Sequence, residues 1–496
     1  MYFSKSKYCR LWQCAKQLWL DANHPELQTE DPSREDRMAV GNEVGDLAMG
    51  YFGDFTEVTT MKSETELDIP EMIRKTKACM DAGVENICEA SFSYQGLYCA
   101  VDILHKQDGG YAIYEVKSAS EEKSQYGVDI AYQKYVLEHC GVQVTGTYLL
   151  HLNKNYIRGE ELDLKGLFTA VDMAQEVADH LPLVPGYLDL AQKTLAGTEA
   201  PDCQLDIRCH KPYQCPYFDH CRSHIPWPSV FDLPGMHFDV KLEHYRNGLG
   251  ELKDLQEKVK LTSNYRHWSK LLVENTEYID KNGIRKFVDT VFYPLYFLDF
   301  ESFAAAIPIY PGTHSRQNIV FQYSLHSLEH EDAPLEHREF LAQPGVNPLR
   351  ELAESLCRDI PKDACVIVYN KSFERARIKE LADMFSDLSD HLMAIRENIR
   401  DIYEPFRKGH YYNSAMWEKR SIKNVLPALF PGDPELDYHN LDGVQNGAQA
   451  MTAFPRMDQL PPEQQQQLRT QLLQYCKLDT YATVKLWWKL LEVSRP

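Results

Sequence analysis

The chain has 496 residues, 44% hydrophobic and 25% charged, with a formal net charge of −20; at roughly 100–200 residues per domain, this calls for at least two domains. The composition excludes disordered and fibrous classes. The acidic balance excludes a protein that coats nucleic acid through a broad basic surface, though not one that engages it at a local site built of carboxylates.

From residue 1 to about 85 the pattern is helical: the opening MYFSKSKYCRLWQCAKQLWL, then REDRMAVGNEVGDLAMGYF and IPEMIRKTKACMDAG. The opening mixes Lys, Arg and Gln among its apolar residues, so it lacks a secretory core. No later run approaches the roughly 18 apolar residues of a membrane span. A cytoplasmic location is expected, where the 13 cysteines suit metal better than disulfides. FSYQGLYCAVDIL and YAIYEVKS read as β-rich runs joined by the turn signal HKQDGG. A helix (GVDIAYQKYVLEHCG), a strand (VTGTYLLHL) and two further helices lead to a cysteine-rich patch ending at Cys221. The prolines of IPWPSVFDLPG mark a linker, and LGELKDLQEKVKL continues a helical linker region over 226–290. At Tyr293 strands and helices alternate again, predicting a second α/β domain over 291–496 after a first over 1–225.

Glu115 and Lys117 in YEVKS stand two apart on a predicted strand and project from one face. Asp102, in the preceding strand, returns opposite them. Two carboxylates on one face can hold a divalent cation, and a lysine beside them can orient a water or offset charge on phosphate. A cross-strand salt bridge is the alternative for so short a motif. AVDIL…YEVKSAS followed by DIAYQKYVL resembles the RecB-like branch of the PD-(D/E)XK nucleases. That resemblance implies Asp102 and Glu115 as metal ligands and Lys117 as catalytic, with Gln133 and Tyr135 on the helix beside the site. Where many such nucleases place the histidine of a Gly-x-x-x-His motif, GNEVG has Gly45, with Glu43 as a substitute acid.

Cys209, Cys215 and Cys221 in CHKPYQCPYFDHC are separated by five residues each, wider than the ~2–4 of zinc knuckles. Cys14 is the favoured fourth partner, with Cys9 and Cys203 competing. The pattern resembles the iron–sulfur subfamily of RecB-like nucleases, CRISPR-associated ones included, and implies a [4Fe–4S] cluster on Cys14, Cys209, Cys215 and Cys221. Such a cluster would clip the two ends of one domain together.

In LYFLDFES, Asp299 and Glu301 share one face of an apolar strand, a costly burial unless a cation offsets them. VIVYNKSFERARIKEL puts Asn370 at a strand end and Glu374 on the first helical turn. YCKLDTYATVKLW puts Tyr475 and Asp479 on one helical face. In this order the blocks resemble the motifs of the RNase H-like DEDD exonucleases (the DnaQ-type fold), tyrosine subtype. The resemblance implies that Asp299, Glu301, Glu374 and Asp479 hold two metal ions while Tyr475 positions the hydrolytic water; Glu374 stands where an aspartate is usual. Arg375, Arg377 and Lys379, then Lys419, Arg420 and Lys423, are candidate phosphate contacts or solvated helix faces. Tyr411 and Tyr412 are candidates to stack on a base or to pack in a core.

The expected fold class is α/β: a PD-(D/E)XK nuclease core with a helical N-terminal region and an Fe–S cluster, then an RNase H-like α/β domain. The tandem resembles an uncharacterised bacterial family of RecB-like nucleases. It implies phosphodiester hydrolysis with Mg²⁺ or Mn²⁺, acting on single-stranded DNA ends or on RNA, with no membrane partner. A nucleic-acid-binding scaffold with degenerate sites is the alternative.

Overall fold

The computed structural model describes residues 2–31, 33–416 and 420–495; Lys419, one of the candidate phosphate contacts, lies outside them. The chain forms two compact mixed α/β units, Met1–His224 with Ala305–Arg316 and Ile225–Ala304 with Gln317–Pro496. Among the described residues no helix is long and apolar enough to cross a membrane.

The first unit is built on a seven-stranded sheet. Its strands are β1 (Phe3–Ser4), β2 (Thr56–Glu57), β3 (Asn86–Tyr94), β4 (Leu97–Gln107), β5 (Gly110–Lys117), β6 (Val144–Leu152) and β7 (Phe168–Asp172). The order is β2-β3-β4-β5-β6-β7, with β1 parallel to the start of β4. What reads as one β-rich run, FSYQGLYCAVDIL, is two strands. Gln95 and Gly96 take φ of 48° and 84°, the pair of positive values that a two-residue hairpin needs. The predicted Asp-Gly turn joins β4 to β5 antiparallel. β5 and β6 are parallel, because the helix Gln125–His139 carries the chain across between them. That helix is apolar on most sides and largely buried: Ile130, Tyr132, Val136 and Leu137 pack with Ile87, Val101, Ile113 and Leu149. A second apolar cluster joins Val44 and Ala48, from the helix Arg34–Ala48, to Ile103, Tyr114 and Leu150, and Ala306 and Ile307 belong to it.

The second unit holds a five-stranded sheet of β9 (Leu295–Phe303), β10 (Ile319–Leu328), β11 (Glu336–Leu341), β12 (Cys365–Val368) and β13 (Ile399–Asp401). Its order is β11-β10-β9-β12-β13; β9, β10 and β11 are antiparallel, and β12 and β13 continue parallel to β9. A separate small ladder pairs β8 (Tyr278–Ile279) with β14 (Tyr411–Tyr412). The helix Pro462–Ser494 contributes Leu486, Trp487 and Leu490 to a core with Leu295, Phe297, Ile367 and Phe406.

One expectation is corrected here, and two pairs of alternatives are narrowed. Residues 226–290 are not a free linker. Val230, Phe231 and Leu233 between the prolines are buried, and Ile284 and Phe287 of the helix Lys281–Val288 fill the second core. Tyr411 and Tyr412 are 2% and 0% exposed, so they are core residues and offer no ring to a base. Arg375, Arg377 and Lys379 are ion-paired with Glu397 (3.2 Å), Glu380 (2.6 Å) and Asp383 (2.5 Å); Arg375 and Lys379 fit a solvated helix face, whereas the Arg377 side chain is largely buried.

Ile367 lies on β12 at 0% exposure between the helices of its unit. Ile367→Ala should cost about 2–5 kcal/mol, read as a lowered denaturant midpoint in the transition that reports the second unit.

Candidate metal centres

In the second unit Asp299 and Glu301 project from β9, the middle strand of its sheet. β10 lies beside them with Ser324 opposite Asp299 and Gln322 opposite Glu301. The buried Gln322 amide donates 2.8 Å to the Leu472 carbonyl, which ties the sheet to the helix Pro462–Ser494. One turn further along, that helix brings in Tyr475, Cys476 and Asp479. Asp299, Glu301 and Cys476 each offer a ligand atom, all within 4.8 Å of one another. The Tyr438 hydroxyl donates a hydrogen bond to Asp479, and Tyr475 stands near enough to favour the charged form of that carboxylate. Glu374, on the first turn of the helix Ser372–Met384, is 3% exposed, and its Oε2 has no hydrogen-bond partner among the described residues.

Burial and mutual repulsion dominate the electrostatics. Burial, reinforced by Asp479, Glu301 and Glu374, pushes Asp299 well above the usual carboxylate range. Burial pushes Glu301 up to about 8, with Asp479 adding to it. It pushes Glu374 up to about 8 and Asp479 up to about 6. Lys423 is the opposing cation for Glu301 and Asp479; its ammonium lies 5.7 and 5.9 Å from the ring centroids of Tyr438 and Tyr475. So many buried acids facing so little positive charge are suited to divalent cations, and the unpartnered Glu374 oxygen fits such an ion.

Asp299, Glu301, Tyr475 and Asp479 thus come near one another, and Glu374 is close enough to act on the charge of Asp299. Sequence reasoning missed Cys476, Tyr438 and Asp401. Asp401 closes β13 and accepts from the backbone N–H of Asn370 (2.9 Å) and Tyr403 (3.1 Å), fixing the φ 70° turn at Asn370 that leads into Glu374. An aspartate ending an apolar run was a usable signal; Tyr438 lies in a stretch without pattern. Lys423 stays a candidate phosphate contact, while Arg420 stacks over the Trp268 ring at 4.2 Å.

In the first unit the β4–β5 ladder ends at the pair Ile103–Tyr114. Beyond it the Asp102 carboxylate accepts the Val116 N–H at 2.6 Å. On the other side of β4 the register also skips Asp102, and Glu89 there takes φ 57°. Glu115, 1% exposed, receives Lys117 Nζ at 2.6 Å, Lys5 Nζ at 2.8 and 3.0 Å, and Gln133 Nε2 at 2.6 Å. Lys117 also donates to Asp129 at 2.9 Å, whose other oxygen takes the Cys9 thiol at 2.8 Å. Burial, then Glu115, pushes Asp102 up to about 6; burial, then Asp102, pushes Glu89 up to about 8. Burial works against the charge on Glu115, but Lys117 and Lys5 more than offset it and hold it well below the usual range.

Asp102, Glu115, Lys117 and Gln133 thus meet as expected, and Gln133 keeps a buried Oε1 without a partner. Tyr135 does not join them. Two positions along a helix turn the side chain by roughly 200°, and the Tyr135 ring lies instead 4.1 Å from that of His139. Glu43 is exposed and offers no substitute ligand. Lys5, Glu89, Cys9 and Asp129 are additions of the structure. Lys5 and Glu115 are 110 positions apart, beyond any local pattern.

Cys14, Cys203, Cys209, Cys215 and Cys221 line a single pocket. Cys14 breaks the helical path between Lys5–Gln13 and Ala15–Asn23 with an extended backbone, φ −164° and ψ 124°. Gln13 ties the later loop to it, donating to the Arg208 and Tyr213 carbonyls at 2.7 and 2.8 Å. Cys9 is excluded from the pocket by its bond to Asp129, whereas Cys203 is a fifth member. Among the described residues no three of these sulfurs come within 4.8 Å of one another.

A family model described as a domain of unknown function (DUF2779) matches residues 296–421, which hold β9 and Glu374 but not Asp479. The uncharacterized protein MG366 homolog of Mycoplasma pneumoniae is 26% identical over 209 residues, 38% of this chain and 31% of that protein. The uncharacterized protein MG366 of Mycoplasma genitalium is 25% identical over 209 residues, with the same shares. The chain thus spans about a third of the length of the curated relatives it matches. No solved structure matches it significantly.

Raised carboxyl values mean that the folded, metal-free second unit holds protons that the unfolded chain has released. Their stabilising contribution is full below the ordinary carboxylate range and is lost as pH rises through about 6 for Asp479 and about 8 for Glu301 and Glu374. The melting temperature of chelator-treated protein should therefore fall between about pH 6.5 and 8.5. Mg²⁺ binding at neutral pH should release protons, measured calorimetrically in buffers of different ionisation enthalpy.

Proposed function

We propose that the chain is a metal-dependent nuclease with two hydrolytic sites, and that the second unit is a 3′–5′ exonuclease. The observation that carries this reading is the gathering of the acids Asp299, Glu301, Glu374 and Asp479, from segments distant in sequence, close enough to act on one another's charge at a buried locus, with Tyr475 beside Asp479. A central strand flanked by antiparallel and parallel neighbours agrees with an RNase H-like fold. The diverging strands that present Asp102 and Glu115 agree with a PD-(D/E)XK core.

In the second unit the four acids would hold Mg²⁺ or Mn²⁺, which when bound offsets charge on the attacking and leaving oxygens of a phosphodiester. Tyr475, its hydroxyl turned to Asp479, positions the water for in-line attack. Lys423 supplies positive charge toward a phosphate. In the first unit Asp102 and Glu115 are the ligands, Gln133 fixes the Glu115 rotamer, and Lys117, held in place by Asp129, orients the water. Cys14, Cys209, Cys215 and Cys221 would hold a [4Fe–4S] cluster, whose binding energy adds to the folding energy of the first unit. An exonuclease pocket has to admit a frayed terminus, which favours single-stranded DNA ends, with RNA as the competing substrate.

Asp299→Asn should abolish digestion from a free 3′ end and shrink the rise in melting temperature that metal produces. Tyr475→Phe should be milder, since it removes a hydroxyl and no ligand. Retention of full 3′-end digestion by Asp299→Asn would refute the exonuclease reading and favour a binding scaffold.

Anaerobically purified protein should be brown, absorb near ~400 nm and contain iron. Cys215→Ala should bleach it. Colourless protein carrying zinc would remove the cluster from this account.

A further inference from the structure

Lys5 stands out among the unexpected residues of the first site because its backbone is placed with care. β1 holds it against the start of β4 through the Phe3 N–H, which donates to the Gly96 carbonyl at 2.9 Å. The Tyr132 hydroxyl donates to the Phe3 carbonyl at 2.6 Å. Lys5 then opens the helix Lys5–Gln13, and its ammonium spans both Glu115 oxygens.

Glu115 therefore has three donors, Lys5, Lys117 and Gln133, on two oxygens. Together they make four contacts, two on each oxygen, which take up the roughly four lone-pair sites of a carboxylate. One donor has to leave before Glu115 can act as a ligand, and the three are not equally held. Gln133 is 0% exposed within the core. Lys117 has a second carboxylate, Asp129, itself fixed by Cys9. For Lys5, Glu115 is the side-chain acceptor found among the described residues, and its long flexible stem reaches the site from a separate element.

An ammonium displaced by a cation is left beside a site that attracts anions. Lysine is a compact point charge that suits a phosphate oxygen. We infer that Lys5 is a phosphate-binding subsite of the first site: it pairs with Glu115 when no cation is bound, and with a phosphate of the nucleic-acid strand when one is. The inference rests on the nuclease reading of that site. It deepens that reading by dividing labour between two lysines: Lys117 stays with the water, and Lys5 takes the strand.

The test uses the full chain carrying Asp299→Asn, so that residual hydrolysis reports the first site. Lys5→Met keeps the stem and removes the charge. Without nucleic acid it should bind Mn²⁺ at least about 3-fold tighter, because a competing ammonium is gone. On a labelled single strand its KM should rise about 10-fold with kcat little changed, and the log–log slope of strand affinity against salt should fall by about 0.7. Lys5→Arg should restore KM. A purely structural role would leave the Mn²⁺ affinity the same or weaker and the salt slope unmoved, and either result overturns the inference. If the Asp299→Asn parent neither binds nor cleaves the strand, the nuclease reading of the first site fails and the subsite falls with it. If the parent cleaves and Lys5→Met matches it in KM and slope, the subsite alone is wrong. Should Lys5→Met not fold, Lys5→Arg decides by itself: a KM that leaves the parental value overturns the proposal.

Discussion

Both units are organised around the cost of holding carboxylates together away from water. Two acids brought side by side in a low-dielectric interior repel each other and lose hydration at once. The units solve this differently. In the first, lysines reach in from two elements, so Glu115 is ionised and saturated with donors. In the second, Lys423 is the main nearby cation, and the acids respond by retaining protons at neutral pH. Strand geometry, helix placement and the unusual backbone at Glu89 and Asn370 all serve to hold these groups where they would not otherwise stay.

The contrast bears on how each centre would take up metal. At the first, a cation competes with an ammonium; at the second, it competes with protons. Affinity in the second should therefore depend on pH across the neutral range; in the first, Glu115 is ionised throughout it and pH acts through Asp102 and Glu89 instead.

Much of this was legible because strand and helix periods are local. Asp299 and Glu301 declare themselves as acids at i and i+2 in an apolar run, and Tyr475 and Asp479 as i and i+4 on a helix. The same rule would have separated Gln133 from Tyr135, both expected beside the site from the resemblance alone, since two positions along a helix point away from each other. What was not legible came from long-range pairing. Lys5 sits in an ordinary basic amphipathic segment, and only the parallel pairing of β1 with β4 brings it to Glu115. Cys203 and Cys9 were indistinguishable as thiols until the chain path put one in the pocket and the other on Asp129. The 226–290 region misled because prolines dominate its pattern while Ile284 and Phe287, the residues that anchor it, are too sparse to register as a core.

The segment Ala305–Arg316 lies in sequence between β9 and β10, two paired strands of the second unit, yet it packs with the first. There Ala306 and Ile307 sit against Val44 and Tyr114, and Arg158 donates its guanidinium to the Pro308 carbonyl at 2.8 Å. Its backbone N–H donates to the Thr313 carbonyl, and Gly312 donates back to its own carbonyl. Neither unit is therefore a contiguous stretch of the gene. A cut near residue 224 would keep the second unit whole but strip the first of the segment that packs against Val44 and Tyr114. The first unit is therefore completed only by a chain that runs on past β9 of the second.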